Sequence, residues 1–85
     1  MLRAACQRFG VTEAQLFSAE RGSVSPARWA LSYVLTQRCG WSCLRVADLL
    51  HKDHTSVLYG VRRAIALRRS SEQFFDGVQV IEDAI

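Results

Sequence analysis

Apolar residues recur along this chain at the spacing of amphipathic helices, and Gly, Ser and Pro separate the repeats. The first set stands at i, i+3, i+4 and i+7 and comprises Leu2, Ala5, Cys6 and Phe9. This spacing places one apolar stripe on a helix, and Gly10 predicts a left-handed end to it. Thr12 and Gln15 have the spacing of a capping box, which predicts a short second helix through Phe17.

A central helix is predicted from Ser25 to about Arg38. The preceding residues 18–24 are mostly polar and show no periodicity, so they predict a loop. Ser25 followed by Pro26 predicts an N-cap residue and a proline at the first helical position, where its missing N–H does no harm. Gly40 then predicts the end of this helix.

Two further helices are predicted, joined by a short turn. Ser42 predicts the cap of a helix over residues 43–50, whose inner face comprises Val46, Ala47 and Leu50. The turn is His51–Asp53, and Asp53 predicts the next N-cap, because its carboxylate can accept from a backbone amide of the first turn. An apolar stripe on the second helix is predicted to face the core and comprises Val57, Leu58, Val61 and Ile65.

A last helix is predicted after Ser70 or Ser71, with an apolar face that comprises Phe74, Val78, Ile81 and Ile85. No segment alternates apolar and polar residues for long enough to predict a sheet. A chain of 85 residues has room for one core. The predicted fold is therefore a single all-α domain, residues 1–85, with about six helices.

The two helices over residues 43–69 match the outline of a helix-turn-helix, which places its second helix in the major groove of DNA. Outside the apolar stripe of that helix lie His54, Thr55, Ser56, Tyr59, Arg62 and Arg63. The first three stand in the opening turn, where a recognition helix presents side chains to base edges. Arg62 and Arg63 follow about two turns later, within reach of phosphates. Alternatively, Thr55 and Ser56 only help to cap the helix.

The distribution of charge adds to this picture. The formal net charge is +3, and all 11 basic side chains lie within residues 1–69. Half of the eight acidic side chains lie within residues 70–85, where no basic residue occurs. A basic body with an acidic tail is typical of a protein that binds a polyanion on one side. The alternative is solvated charge without a function.

The second helix also carries a recognisable motif, the run Asp53-His54-Thr55-Ser56-Val57-Leu58 followed by Arg62-Arg63. This pattern resembles the signature of the C-terminal DNA-binding domain of the bacterial replication initiator DnaA. In that family the run is usually Asp-His-Thr-Thr-Val, followed by a basic pair and an isoleucine, for which Ile65 stands one position later. Similar segments at residues 9–16, 25–31 and 42–50 extend the resemblance over nearly the whole chain.

The resemblance implies a Trp-repressor-like helical fold in which one helix docks in the major groove. It implies base contacts by His54, Thr55 and Ser56, with Asp53 as the motif's aspartate. It also implies an arginine that enters the adjacent minor groove from the loop before the central helix, and Arg21 is the candidate. Further candidates for contacts to the DNA backbone or minor groove are Arg28, Lys52, Tyr59, Arg62 and Arg63.

The chain also departs from the family pattern. Its loop over residues 18–23 is shorter and less basic, and the turn before Asp53 is about one residue short. Ala27-Arg28 stands where the family has an Arg-Gln pair. Arg28 either takes over DNA binding from that pair at the start of the central helix or is a solvated surface charge. Because of these differences, the sequence does not decide whether the chain binds the initiator's own box or another duplex site.

Other classes of site fit less well. Cys39, Cys43, His51 and His54 form C-x3-C-x7-H-x2-H, but the gap from Cys to His is shorter than in a zinc finger. We therefore predict no metal and no cofactor. A Walker motif is absent, and a chain of this size frames no pocket for a Cys–His pair, so we expect no enzyme. An odd number of Cys, no secretory segment and no membrane-length apolar run favour a cytoplasmic location. The resemblance to the initiator implies that the protein is bacterial and associated with the nucleoid.

The sequence therefore predicts a protein that binds double-stranded DNA, most simply a transcription regulator or the DNA-reading part of one. A first alternative is the origin-box-binding domain of a replication initiator. A second, of another class, is a protein-interaction module that has kept the fold. Its partner would bind the acidic last helix, where the adjacent Phe74 and Phe75 suggest that one ring is exposed. No small-molecule substrate is expected.

Overall fold

Six α-helices and one 3-10 turn make up the computed structural model, which describes all 85 residues. The helices are α1 (Leu2–Phe9), α2 (Glu13–Phe17), α3 (Ser25–Gln37), α4 (Cys43–Leu50), α5 (His54–Ser70) and α6 (Glu72–Asp83), and the 3-10 turn is Gly22–Val24. No strand is present. The all-α fold with six helices is confirmed. No helix combines the length and the apolar character needed to cross a membrane.

The predicted helix ends at the start of the chain are confirmed. Gly10 follows α1 in the left-handed region, with a φ of 67°. At α2 both bonds of the capping box form. The Gln15 amide donates to Thr12 Oγ1 over 3.1 Å, and the Thr12 amide donates to Gln15 Oε1 over 2.8 Å. Local side chains therefore determine these boundaries.

The start of α3 differs from the prediction. Ser25 is the first residue of the helix rather than its N-cap, and the residue before it, Val24, has a helical conformation. The reason is that the 3-10 turn leads directly into α3, so the chain needs no extended cap residue there. Pro26 still lies in the first turn, where its missing N–H has no helical partner to lose.

Helix α3 lies at the centre and packs against α1, α4, α5 and α6. Its buried residues occupy more than one face and comprise Ala27, Ala30, Leu31, Ser32, Tyr33, Val34 and Leu35. The other helices each bury one stripe against it or against each other, as Val46, Ala47 and Leu50 of α4 do. This arrangement explains why α3 is apolar on several sides and α4 on only one.

The buried face of α5 differs from the predicted stripe. Val57 and Val61 are buried as predicted, but Leu58 and Ile65 are 40% and 42% exposed. The helix instead buries a stripe with the spacing i, i+3, i+4 and i+7, which comprises Val57, Gly60, Val61 and Ala64. Ala64 therefore takes the buried place expected for Ile65.

Gly60 explains how closely α5 approaches α3. A Cβ atom added at Gly60 would lie 2.8 Å from Trp29 Cδ1 and 3.6 Å from the Trp29 Cα. Real Cβ atoms do not approach that closely, so only glycine permits this packing. The contact rotates α5 so that its small residues face inward and Leu58 and Ile65 face outward.

Helix α6 closes the domain against α1. Ser71 is its N-cap and accepts from the Phe74 amide over 3.2 Å. Phe74, Val78 and Ile81 are buried as predicted, whereas Ile85 lies beyond the helix and is 65% exposed. The expectation of an exposed ring at Phe74 or Phe75 is wrong, because Phe74 is buried and Phe75 is half-buried beneath Arg68.

Candidate nucleic-acid interface

Helices α4 and α5 are joined by a turn with well-defined ends. Ser42 caps α4 by accepting from the Arg45 amide over 3.1 Å. His51 ends α4 in the left-handed region, with a φ of 56°, and its ring meets that of Phe17 edge-on at 5.7 Å. His51 is thus a turn residue packed against α2. The connection is His51–Asp53, as the sequence predicted.

Asp53 is the N-cap of α5, which confirms its predicted role. Its carboxylate Oδ1 accepts from the Thr55 amide over 3.3 Å. The same Oδ1 lies 3.2 Å from His54 Nδ1. Because the carboxylate satisfies an N–H that has no helical partner, it stabilises the first turn of α5.

The three predicted base-contacting residues lie in that first turn with exposed side chains. His54, Thr55 and Ser56 are all exposed. The hydroxyl groups of Thr55 and Ser56 make no hydrogen bond within the protein, and Asp53 supplies the side-chain cap. The alternative in which the two hydroxyls serve only to cap α5 therefore loses its support. Their donors and acceptors remain available to another molecule.

The outer face of α5 continues with Tyr59, Arg62 and Arg63, which are all exposed. Tyr59 meets the Trp29 ring edge-on at 6.1 Å, and the guanidinium carbon of Arg63 lies 5.3 Å from the centre of the same ring. Trp29 therefore supports both side chains from below. Arg62 makes neither a hydrogen bond nor an ion pair, so its guanidinium is solvated.

Arg68, near the carboxyl end of α5, has a different environment. Its Nη1 donates to the hydroxyl of Tyr33 over 2.9 Å, and its guanidinium carbon lies 5.8 Å from the centre of the Phe75 ring. These contacts join α5 to α3 and α6. These contacts give Arg68 a structural role, in addition to its favourable place at a helix end.

An open cleft of about 530 Å³ separates the amino half of α5 from the loop before α3. Thr55, Ser56 and Tyr59 line it on one side, and Arg21 and Ser25 line it on the other. Arg21 is exposed and forms no hydrogen bond or ion pair with the rest of the chain. The fold therefore brings the loop arginine and the helix hydroxyls, which are more than thirty residues apart, to the two sides of one cleft.

Arg28 and Lys52 lie deeper in the same cleft, and both bind backbone carbonyls of the protein. Arg28 donates to the carbonyls of Gln15, Leu16, Ser18 and Glu20. The interpretation of Arg28 as a solvated surface charge is therefore wrong. Lys52 Nζ donates to the carbonyl of Ser18. Both side chains are half-buried.

Burial is the main electrostatic effect on these two cations. Burial lowers the pKa of Lys52, and the neighbouring charges of Arg28 and Arg21 lower the pKa further. Burial likewise lowers the pKa of Arg28, where the carboxylate of Glu20 acts in the opposite direction. The cleft therefore concentrates positive charge beside the amino end of α5.

Sequence reasoning did not find the partners of Arg28, although one signal was present. Arg28 is the fourth residue of α3, and a cation near a helix amino terminus opposes the helix dipole. Such a placement indicates that another interaction offsets the repulsion. The carbonyls that provide it lie 8 to 13 residues earlier, a separation that no helical or turn pattern marks.

The two Cys and two His with zinc-like spacing do not come together. No group of three or more His, Cys, Asp or Glu side chains is placed to hold a metal ion. His51 packs on Phe17, and His54 faces Asp53.

Comparison with models of known protein families finds no match, and a search of curated proteins finds no significant match either.

Proposed function

We propose that this chain binds double-stranded DNA, with α5 of its helix-turn-helix in the major groove, as a transcription regulator or the DNA-reading part of one. The observation that carries the proposal is the amino end of α5. Three exposed polar side chains, His54, Thr55 and Ser56, lie there, and the two hydroxyls have no partner within the protein. A recognition helix presents the same part of its surface to base edges.

The chemistry of this turn suits base contacts. A hydroxyl donates to or accepts from any base, and the methyl group of Thr55 can pack on the methyl group of thymine. Imidazole adds a donor or an acceptor according to its tautomer. The resemblance to the DnaA motif, noted in the sequence, assigns base contacts to the same three residues.

Contacts to the DNA backbone follow along the same helix and across the cleft. Arg62 and Arg63 lie about two turns from the amino end of α5, where the helix would leave the groove. Tyr59 adds an exposed hydroxyl beside them. Arg21 lines the opposite side of the cleft, and its proposed role is to enter the adjacent minor groove.

Two substitutions on α5 test the proposal, after a duplex site has been selected from a random pool. Thr55→Ala should weaken binding to that site roughly fivefold to tenfold, the lower range for one base contact, while random duplex is bound as before. Arg62→Ala should weaken binding to every duplex and reduce the log–log salt slope by roughly 0.9. The measurement is fluorescence anisotropy at several salt concentrations.

Gln79→Ala serves as the control, because Gln79 is exposed and belongs to α6, outside the helix-turn-helix of α4 and α5. It should leave both affinity and salt slope unchanged. Negligible binding of the native chain to any duplex at low salt would contradict the proposal. The second candidate function, supported by the motif resemblance, is the box-binding domain of a replication initiator. The sequence selected from the random pool distinguishes such a box from a promoter element.

A further inference from the structure

Two basic residues of the candidate interface bind protein rather than solvent, and they meet at one atom. The carbonyl oxygen of Ser18 accepts from Arg28 Nη2 over 2.7 Å and also from Lys52 Nζ. Arg28 belongs to α3, and Lys52 belongs to the turn between α4 and α5. Ser18 follows directly after α2 and begins the loop that carries Arg21. One carbonyl thus connects the loop, the central helix and the helix-turn-helix.

The other bonds of Arg28 hold the rest of this segment. Nε donates to the carbonyl of Leu16 over 2.8 Å, Nη2 to that of Gln15 over 2.7 Å, and Nη1 to that of Glu20. The last carbonyls of a helix lack partners within it, and a helix of five residues is not stable alone. Charged donors are therefore well suited to hold α2 and the start of the loop in place.

This arrangement limits what the two cations can offer to DNA. Four bonds use four of the five N–H donors of Arg28. Arg21, by contrast, follows Glu20 directly, is exposed and keeps its whole guanidinium free. The position of Arg21 relative to α5 therefore depends on carbonyls that Arg28 and Lys52 hold.

We propose that Arg28 and Lys52 are positioning residues, which set the distance between Arg21 and the amino end of α5. The inference rests on the proposed function and adds a determinant of specificity to it. If Arg21 enters the minor groove while α5 lies in the major groove, that distance determines the number of base pairs between the two elements of the DNA site. Neither residue then needs to contact the DNA.

A double-mutant cycle tests this role on the full chain. Arg21→Ala is measured in the native background and in Lys52→Met, which keeps the length of the side chain and removes its charge. If Lys52 positions Arg21, the loss caused by Arg21→Ala should be at least about threefold smaller in the Lys52→Met background. Independent phosphate contacts should instead give losses that multiply, to within about twofold.

Arg62→Met is the matched control, because Arg62 is an exposed cation of the same face without a partner. The losses from Arg62→Met and Arg21→Ala should multiply. If Lys52 only stabilised the fold, the losses from Lys52→Met and Arg21→Ala should also multiply. The reason is that a smaller folded fraction weakens binding by the same factor whether Arg21 is present or not. Circular dichroism checks the fold of each variant. Lys52→Arg retains a donor for the Ser18 carbonyl, so in that background Arg21→Ala should cause the same loss of affinity as in the native chain.

The outcomes separate the two proposals. If the losses from Arg21→Ala and Lys52→Met multiply and Lys52→Met reduces the salt slope by roughly 0.9, the positioning role is overturned and Lys52 is a phosphate contact. Multiplying losses with an unchanged slope would also overturn it and leave Lys52 a stabilising residue only. Absence of salt-dependent binding by the native chain would overturn the proposed function and the positioning role together.

Discussion

Two regions of the molecule differ in how their polar groups are bonded. These are the corner formed by α1 and α6 and the face formed by α4 and α5. In the corner, Arg8 donates to the carbonyl of Gln73 over 2.8 Å, and Phe9 packs against Phe74 with ring centres 6.1 Å apart. On the face, the hydroxyls of Thr55 and Ser56 have no partner in the protein. The corner therefore contributes to stability, whereas the groups on the face remain available for binding.

The largest expected effect concerns the corner. Phe74→Ala should lower the free energy of unfolding by about 3–5 kcal/mol, because it removes a buried ring and leaves a cavity. Urea denaturation followed by circular dichroism measures the change. Val80→Ala on the same helix removes a side chain that is 40% exposed and should change stability by about 0.5 kcal/mol or less. Equal losses for the two variants would contradict the assigned packing of α6.

A pair of glycines sharpens the comparison between the two regions. Gly60→Ala places a Cβ atom 2.8 Å from Trp29 Cδ1, an atom near the base of an indole ring that also contacts Tyr59, so the ring has to shift. We expect a net loss of about 1–2 kcal/mol, after the gain in helix propensity. Binding should weaken as well, since Trp29 supports Tyr59 and Arg63.

Gly77→Ala is the matched variant in the corner. Its Cβ atom would lie 2.6 Å from Phe9 Cζ, the tip of a half-buried ring that can move. A smaller loss of stability and an unchanged DNA affinity are expected. The same change of affinity in both glycine variants would show that Trp29 has no particular role in supporting the outer face of α5.

The cap of α5 belongs to the face, and its removal should affect both stability and binding. Asp53→Ala removes the acceptor for the Thr55 amide and should lower stability by about 1 kcal/mol. The first turn should then fray, and affinity for the selected DNA site should fall. Asp53→Asn keeps an acceptor and should retain most of the stability. Thermal denaturation and anisotropy measure the two effects, and full affinity in Asp53→Ala would speak against an ordered first turn in the complex.

The smallest expected effect is the pH dependence of the corner. Burial raises the pKa of the Cys6 thiol above its ordinary value of 9.0, and the negative charge of Glu13 raises it further. The unfolded chain therefore loses this proton at a lower pH than the folded protein does. The contribution of Cys6 to stability is present below about pH 9 and is lost as pH rises through the folded pKa.

Denaturation of the native chain and of Cys6→Ala between neutral pH and pH 11 isolates this contribution. The stability difference between the two proteins should shift against the native chain above pH 9. The shift of the Lys52 pKa acts in the opposite direction, but it is common to both proteins and cancels. A difference that is independent of pH would contradict the assigned environment of Cys6.

The sequence alone predicted most helix boundaries and the exposed first turn of α5. Thr12, Ser42 and Asp53 each cap a helix as predicted, because a capping side chain reaches only two or three residues along the chain. The same local pattern placed His54, Thr55 and Ser56 outside the apolar stripe of α5. These results depend on neighbours in sequence, which are visible without a structure.

Only the tertiary structure determined which groups meet across the fold. Ile65 is of a residue type typical of a core, but it faces outward because α5 packs on α3 through the close contact between Gly60 and Trp29. Arg28 and Lys52 are of residue types typical of a DNA-binding surface, yet they bind carbonyls near the end of α2. Packing and hydrogen bonding between distant segments depend on the distances that the whole fold creates, and no local spacing of residues encodes them.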